Sequence, residues 1–186
     1  MMQITELVQT IVRSRLREGA IALDATVGNG MDTLFLAECV GKTGMVFGCD
    51  IQPLEDAQQL ITNHNCAAHV HLRQMSHEDL RSLVPEKFHG HLAAVMFNLG
   101  YKPHADKTLI THTASTLAAL EAATALLAPN GIMSVVCYTG HAGGSEERDG
   151  VVTWAAQLEK SIWQIYHLQT LNQHHAPEAL MFYKRR

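Results

Sequence analysis

The chain has 186 residues, 47% of them hydrophobic, and a formal net charge of -4 with a pI near 6.3; its length and apolar fraction suit one compact domain, residues 1–186, with a sizeable core. That acidic balance argues against broad phosphate recognition, which leaves a basic footprint. No stretch approaches the roughly 20 apolar residues needed to span a bilayer, and MMQITELVQT lacks the basic start and apolar run of a signal peptide, so a soluble cytoplasmic protein with no membrane contact is expected. Cys39, Cys49, Cys66 and Cys137 form no CxxC pair, which points to reduced packing residues. The twelve histidines form no HxxxH or HExxH pattern, and no metal is expected.

Taken in chain order, Ile4, Leu7, Val8, Ile11 and Val12 recur at helical spacing and predict an amphipathic opening helix that ends before Gly19. Strand-like apolar runs then alternate with helical patterns. The strands are AIALDA (20–25), MVFGCD (45–50), VHLRQ (70–74), LAAVMFNL (92–99) and IMSVVCY (132–138), followed by SIWQIYHLQTL and ALMFYK. The intervening helices fall near 31–40, 53–65, 77–83, 113–127 and 145–160. Repeated βα units with nearly continuous apolar strands argue for a parallel sheet covered on both faces. Only NQHHAPE separates the last two strands. It is too short for a crossover helix, so they should pair antiparallel. The expected fold is α/β, a Rossmann-like doubly wound sheet of seven strands, six parallel and one antiparallel near the C-terminus.

The stretch LDATVGNGMDT places Asp24 at a strand end, then Gly28, Asn29 and Gly30, then Asp32 and Thr33 opening a helix. In a doubly wound sheet this turn borders the ligand crevice, and glycine lets backbone approach a ligand closely. A full GxGxxG would favour a dinucleotide, but here the third position is Thr33. Asp24 would repel a pyrophosphate and suit a cationic group. S-adenosylmethionine is such a ligand. About 20 residues past Gly30, Asp50 ends the second strand, where an acid accepts hydrogen bonds from ribose hydroxyls. Gln52, Ser76 and His77 are plausible adenosine neighbours, although His77 could equally cap a helix. On the plainer alternative, Asp24 caps a helix and Asp50 closes a turn.

MFNLGYKPHADKT, at the end of the fourth strand, carries Asn98 and Tyr101. Their spacing resembles the (Asn/Asp)-Pro-Pro-(Tyr/Phe) motif of methyltransferases acting on amino nitrogen, with Leu99-Gly100 replacing the prolines. An amide oxygen can hold an amine's N–H groups and leave its lone pair free, and an aromatic ring can stack on a flat substrate. An aliphatic amine with a pKa of about 10.4 must also lose a proton before it can attack. Asp106, His104 and His141 are candidates to take it, with desolvation as an alternative. After the fifth strand, CYTGHAGGSEE sets Tyr138 and His141 beside a glycine-rich loop, with Ser145 a candidate helix cap.

Together LDATVGNGMDTLFLA, GCDIQ, MSHE, FNLGY with DKT, TLAALEAATALLAPNGIMSVVCYTGHAGGSEE and LNQHHAP resemble a family of class I methyltransferases, the MnmM or YtqB-like enzymes. The resemblance covers nearly the whole chain. It implies S-adenosyl-L-methionine as donor and methylation of the 5-aminomethyl group of wobble (2-thio)uridine in tRNA, with the anticodon stem-loop as partner. Asp24, Thr26, Gly28, Asn29, Gly30, Asp32, Thr33, Asp50, Gln52, Ser76 and His77 would then form the cofactor side. Asn98, Tyr101 and Asp106 would be catalytic, and Lys107, Tyr138 and His141 would meet substrate. A homodimer would enlarge the surface offered to a large RNA. A small-molecule or rRNA methyltransferase, or an NAD(P)-dependent oxidoreductase using the same first turn, are the alternatives. If Arg13, Arg15, Arg17, Lys102, Lys107, Lys184, Arg185 and Arg186 gather on the ligand-bearing face, RNA gains; if they scatter, a small substrate does.

Overall fold

A computed structural model describes residues 2–100, 113–140, 143–173 and 176–185. Its strands are β1 (Ile21–Asp24), β2 (Met45–Asp50), β3 (Val70–Gln74), β4 (Leu92–Leu99), β5 (Leu127–Cys137), β6 (Trp163–Leu168) and β7 (Glu178–Lys184), and its helices α1 (Ile4–Arg13), α2 (Met31–Val40), α3 (Glu55–Asn63), α4 (Leu80–Leu83), α5 (Thr113–Leu126) and α6 (Gly144–Gln157). The sheet order is β3-β2-β1-β4-β5-β7-β6. β7 pairs antiparallel with both β5 and β6, so six strands run one way and β7 alone runs against them, as the short connection requires. The ligand-side edge is therefore the carboxyl edge of the six, which also holds the first residue of β7, because Cys137 pairs with Glu178.

Successive side chains on a strand point to opposite faces, and the two cores divide accordingly. Leu23, Phe47, Val95, Phe97, Met133 and Phe182 pack with α4, α5 and α6 on one face. Ala22, Val46, Ala94, Met96, Ile132 and Met181 pack with α1 and α2 on the other. The same alternation sets the site. Asp24, Asp50, Asn98 and Tyr138 each follow by two residues a position on the α1/α2 face, so all four project to that side of the carboxyl edge. His77 falls on the opposite face, its ring edge-on to Phe97 at 6.2 Å.

The larger differences from the sequence reading lie at β5 and in the region 77–83; elsewhere element ends move by up to three residues, as where α6 stops at Gln157 rather than 160. β5 starts at Leu127, immediately after α5, because Leu127 pairs with Leu92 before a register shift brings Ile132 opposite Ala94. The region 77–83 divides into a 3-10 turn (His77–Asp79) and the single turn of α4, and a second 3-10 turn covers Glu86–Phe88. Pro85, which precedes that turn, has no N–H to continue a helix. No helix among the described residues is long and apolar enough to cross a membrane.

Candidate active site

The turn after β1 is tied to β2 by the Val27 N–H, which donates to the Cys49 carbonyl at 3.1 Å. The two glycines there do different work. Gly28 has φ 52°, and a Cβ on it would meet nothing within 4 Å; its backbone borders open space, as a ligand cradle needs. Gly30 has φ 86°, and a Cβ on it would lie 2.9 Å from Ala57 Cβ on α3. The missing Cβ of Gly28 thus leaves open space, whereas that of Gly30 is required by the packing of α2 on α3. Met31, which follows it, is 64% exposed at the mouth of the crevice.

Asp50 accepts the Gly28 N–H and the Gln52 N–H, each at 2.8 Å, on separate oxygens. Each oxygen keeps a lone pair for a further donor. Gln52 is buried. Ser76 caps the following 3-10 turn by accepting the Glu78 N–H at 3.2 Å. His77 is buried, and desolvation lowers its pKa against the opposing pull of Glu147, Glu78 and a hydrogen bond with the Ala25 backbone. It stands as a neutral ring between β1 and α5. Glu147, which the sequence suggests only as part of a helix's acidic first turn, is buried and accepts the Thr116 hydroxyl at 2.6 Å.

Asp24 is 1% exposed. It accepts the Thr33 hydroxyl at 2.6 Å and the Thr26 N–H at 3.1 Å. Burial, followed by the neighbouring Asp32 charge, pushes its pKa up to about 7, against the pull of those two hydrogen bonds. Asp32, at the start of α2, is raised by burial too, with hydrogen bonds from Gln9 and Asn98 opposing. Two close carboxylates in a dry environment resist joint ionisation, and a nearby cation would relieve both.

Asn98 completes the group. Its N–H donates to Thr26 Oγ1 at 2.6 Å, and its Nδ2 reaches Asp32 Oδ2 through a long 3.4 Å contact. Burial, followed by the Asp32 charge, raises the pKa of the Tyr138 phenol, with the nearby Asn98 amide opposing. The Asn98 Oδ1 atom is buried with no hydrogen-bond partner among the described residues. Leaving such an acceptor unsatisfied costs about 1–3 kcal/mol, the kind of cost that marks a group aimed at a ligand. Gln9 on α1, unremarked in the sequence, donates to Asp32 Oδ1 at 2.7 Å.

Structure thus brings Asp24, Thr26, Asp32, Thr33 and Asn98 into one hydrogen-bonded cluster, with Tyr138 beside it and Asp50, Gln52 and Gly28 in a second at the neighbouring strand end. The expectations for Tyr101, Lys102, His104, Asp106, Lys107, His141, His174, His175 and Arg186 fall outside the described residues. Among the basic positions singled out in the sequence, Arg15 lies over Tyr183 at 5.1 Å, Lys184 donates to the Thr124 and Leu127 carbonyls, and Arg185 is bonded to Ile162. All three sit at the amino edge of the sheet, away from the cluster, so these positions do not gather on the ligand-bearing face, a placement that favours a small substrate over RNA. No group of three or more His, Cys, Asp or Glu among the described residues could hold a metal ion.

Sheet order and crevice define the class, a Rossmann-like methyltransferase architecture. Residues 46–184 match the family described as Putative rRNA methylase, and the chain belongs to that family. It is 35% identical over 194 residues to the tRNA (mnm(5)s(2)U34)-methyltransferase, chloroplastic, of Arabidopsis thaliana, covering 97% of this chain and 69% of that one. A structure from Clostridium thermocellum carrying the same rRNA-methylase description superposes with a TM-score of 0.93 at 31% identity, over 99% of this chain and 98% of that one. Another, titled as a methyltransferase of Streptococcus mutans in complex with SAH, gives 0.87 at 30% identity over 99% of both chains.

Proposed function

We propose that this protein transfers a methyl group from S-adenosyl-L-methionine to the amino nitrogen of the 5-aminomethyl group on wobble (2-thio)uridine in tRNA. The observation that carries the reading is the buried Asn98 Oδ1, without a hydrogen-bond partner among the described residues, beside the Asp24 and Asp32 carboxylates at the tips of β1 and α2. The Arabidopsis relative's name supplies the substrate, and the SAH complex of the Streptococcus relative supports the donor. When bound, S-adenosylmethionine supplies an electrophilic sulfonium methyl.

The residues present fit that donor. The open space over Gly28 accommodates its approach, Asp50 retains lone pairs for ribose hydroxyls, and Gln52, Ser76 and His77 would border the adenine. Asp24 and Asp32 form an acidic seat for the cationic end. Asn98 Oδ1 would accept an N–H of the incoming amine, turning its lone pair toward the methyl and holding the two reactants in register. Tyr101 would stack on the base, while Asp106, His104 or His141 would take the amine's proton, with Lys107 and Tyr138 on the substrate side.

An NAD(P)-dependent oxidoreductase is disfavoured by the same geometry, since the Asp24 carboxylate beneath the glycine turn would repel a pyrophosphate. The reading treats residues 1–186 as one cytoplasmic catalytic domain, in keeping with four free cysteines. A homodimer belongs to the same proposal and is checked by light scattering.

Purified protein, S-adenosylmethionine and tRNA carrying the aminomethyl nucleoside should yield the methylaminomethyl nucleoside in mass spectrometry; no conversion despite normal donor binding would remove the substrate. In the same assay Asn98→Ala should cut kcat by about 100-fold or more. Its donor affinity in calorimetry should stay within about threefold, and equal loss of both would make Asn98 structural.

A further inference from the structure

Gln9, Asp32 and Asn98 come from three different elements and meet in one chain of side-chain hydrogen bonds. Resting on the function proposed above, we propose that Asp32 is a positioning residue, held by Gln9, that fixes the Asn98 amide with its nitrogen inward and its oxygen toward the reacting amine.

Donors and acceptors decide the orientation. A side-chain amide can turn over and exchange its oxygen and nitrogen at little intrinsic cost, so its neighbours set which way it points. An ionised carboxylate only accepts. With Asp32 Oδ2 facing Asn98 at 3.4 Å, the amide nitrogen must point at the carboxylate, because the opposite orientation would set oxygen against oxygen. The Asn98 oxygen has no partner among the described residues, in keeping with an amide whose nitrogen faces the carboxylate. The nitrogen is thereby turned inward, and Oδ1 is left for the substrate.

Asp32 must itself be held. Its other oxygen accepts Gln9 Nε2 at 2.7 Å, the shorter of its two contacts, from a helix that precedes the first strand. Removing that donor frees the carboxylate to rotate away from Asn98, after which both amide orientations become accessible. Gln9 therefore acts through Asp32 on Asn98.

The test uses the full chain with tRNA bearing the aminomethyl nucleoside. Gln9→Ala should lower kcat by about 10-fold while the donor Kd and the tRNA KM stay within about threefold. Gln9→Glu is nearly isosteric and carries a pH signature. Protonated, the introduced carboxyl can still donate to Asp32. Ionised, it opposes Asp32 carboxylate to carboxylate, with Asp24 on β1 adding a third acid and Tyr138 and Asn98 facing from β5 and β4. Turnover of this variant relative to wild type should fall at least about fivefold between about pH 6 and 9. A packing role for Gln9 predicts a constant ratio.

A third readout needs no substrate. The side-chain NH2 resonances of Asn98, assigned by their loss in Asn98→Ala, should move in Gln9→Ala and in Asp32→Ala, both with and without donor. The proposal is overturned if Gln9→Ala keeps kcat within about twofold, if donor affinity falls in step with kcat, or if those resonances stay put. Should wild-type protein leave the tRNA unmethylated while the resonances move as stated, the functional reading fails and the amide arrangement stands.

Discussion

Two acidic centres occupy the carboxyl edge of one sheet and are treated in opposite ways. Asp24, at the end of β1, takes its hydrogen bonds from the neutral donors Thr33 and Thr26, has another carboxylate beside it, and is pushed up to about 7. Glu178, at the start of β7, is bonded by Arg148 at 2.7 Å and by His167 at 2.8 Å, with Gln169 at 3.1 Å. Burial alone would raise Glu178, yet those hydrogen bonds and the Arg148 charge hold it below the ordinary carboxylate range. One centre is balanced within the chain and clasps the antiparallel strand; the other favours a positive charge from outside.

The difference breaks first at Asp24→Asn. Donor affinity in calorimetry should fall by about 100-fold, the scale of losing one partner of a desolvated charge pair, while the thermal midpoint of the donor-free protein does not fall. A marked loss of stability would place Asp24 with Glu178 as a structural acid.

A pH series sharpens the contrast. Asp24 binds its proton more tightly folded than unfolded, so its contribution to stability is full below the ordinary carboxylate pKa, 3.8, and is lost as pH rises through about 7. Glu178 has the reverse sign, contributing above the ordinary range and losing that contribution as pH falls through its lowered value. In chemical denaturation, Asp24→Asn should remove a decline of stability between about pH 4 and 7, and Glu178→Gln should flatten the acid limb below it. The cationic donor should bind more tightly as pH rises through the first window, since it favours ionised Asp24. A flat affinity would contradict the acidic seat.

The smallest effect is expected at Arg148→Ala. Its side chain and that of Glu178 are 24% and 15% exposed, and the pair should be worth about 1–2 kcal/mol of unfolding free energy. Donor affinity should stay within about twofold; a larger change would tie the β6–β7 hairpin to the cofactor side.

Much of this is legible in the residues. Strict alternation along LAAVMFNL and IMSVVCY fixes which side chains share a face, so Asn98 and Tyr138 group with Asp24 and Asp50 once the strands are ordered in parallel. The short NQHHAPE connection dictates the reversed β7. Gln9 cannot be read in this way, because it lies on an amphipathic helix whose docking position depends on the tertiary packing of α1 against α2, β5 and β7. The packing role of Gly30 cannot be read either, because its neighbour Ala57 is distant in sequence and a glycine turn looks the same whether its missing Cβ makes room for a ligand or for a helix. Asp32 is expected on the cofactor side by its place in the motif alone; its two bonding partners come from residues 23 and 66 positions away.

Helix α1 carries Gln9 to the acidic cluster and leads on to Arg15 at the far rim, yet it lies ahead of the stretch matched by the family, residues 46–184. Shortening the chain to that stretch would delete β1 and the acidic seat along with the helix, and trimming only α1 would leave the seat but loosen its asparagine. Fusion tags and surface-immobilisation handles are therefore better attached beside Arg185, at the sheet's opposite rim, where a bulky addition stays clear of the chemistry.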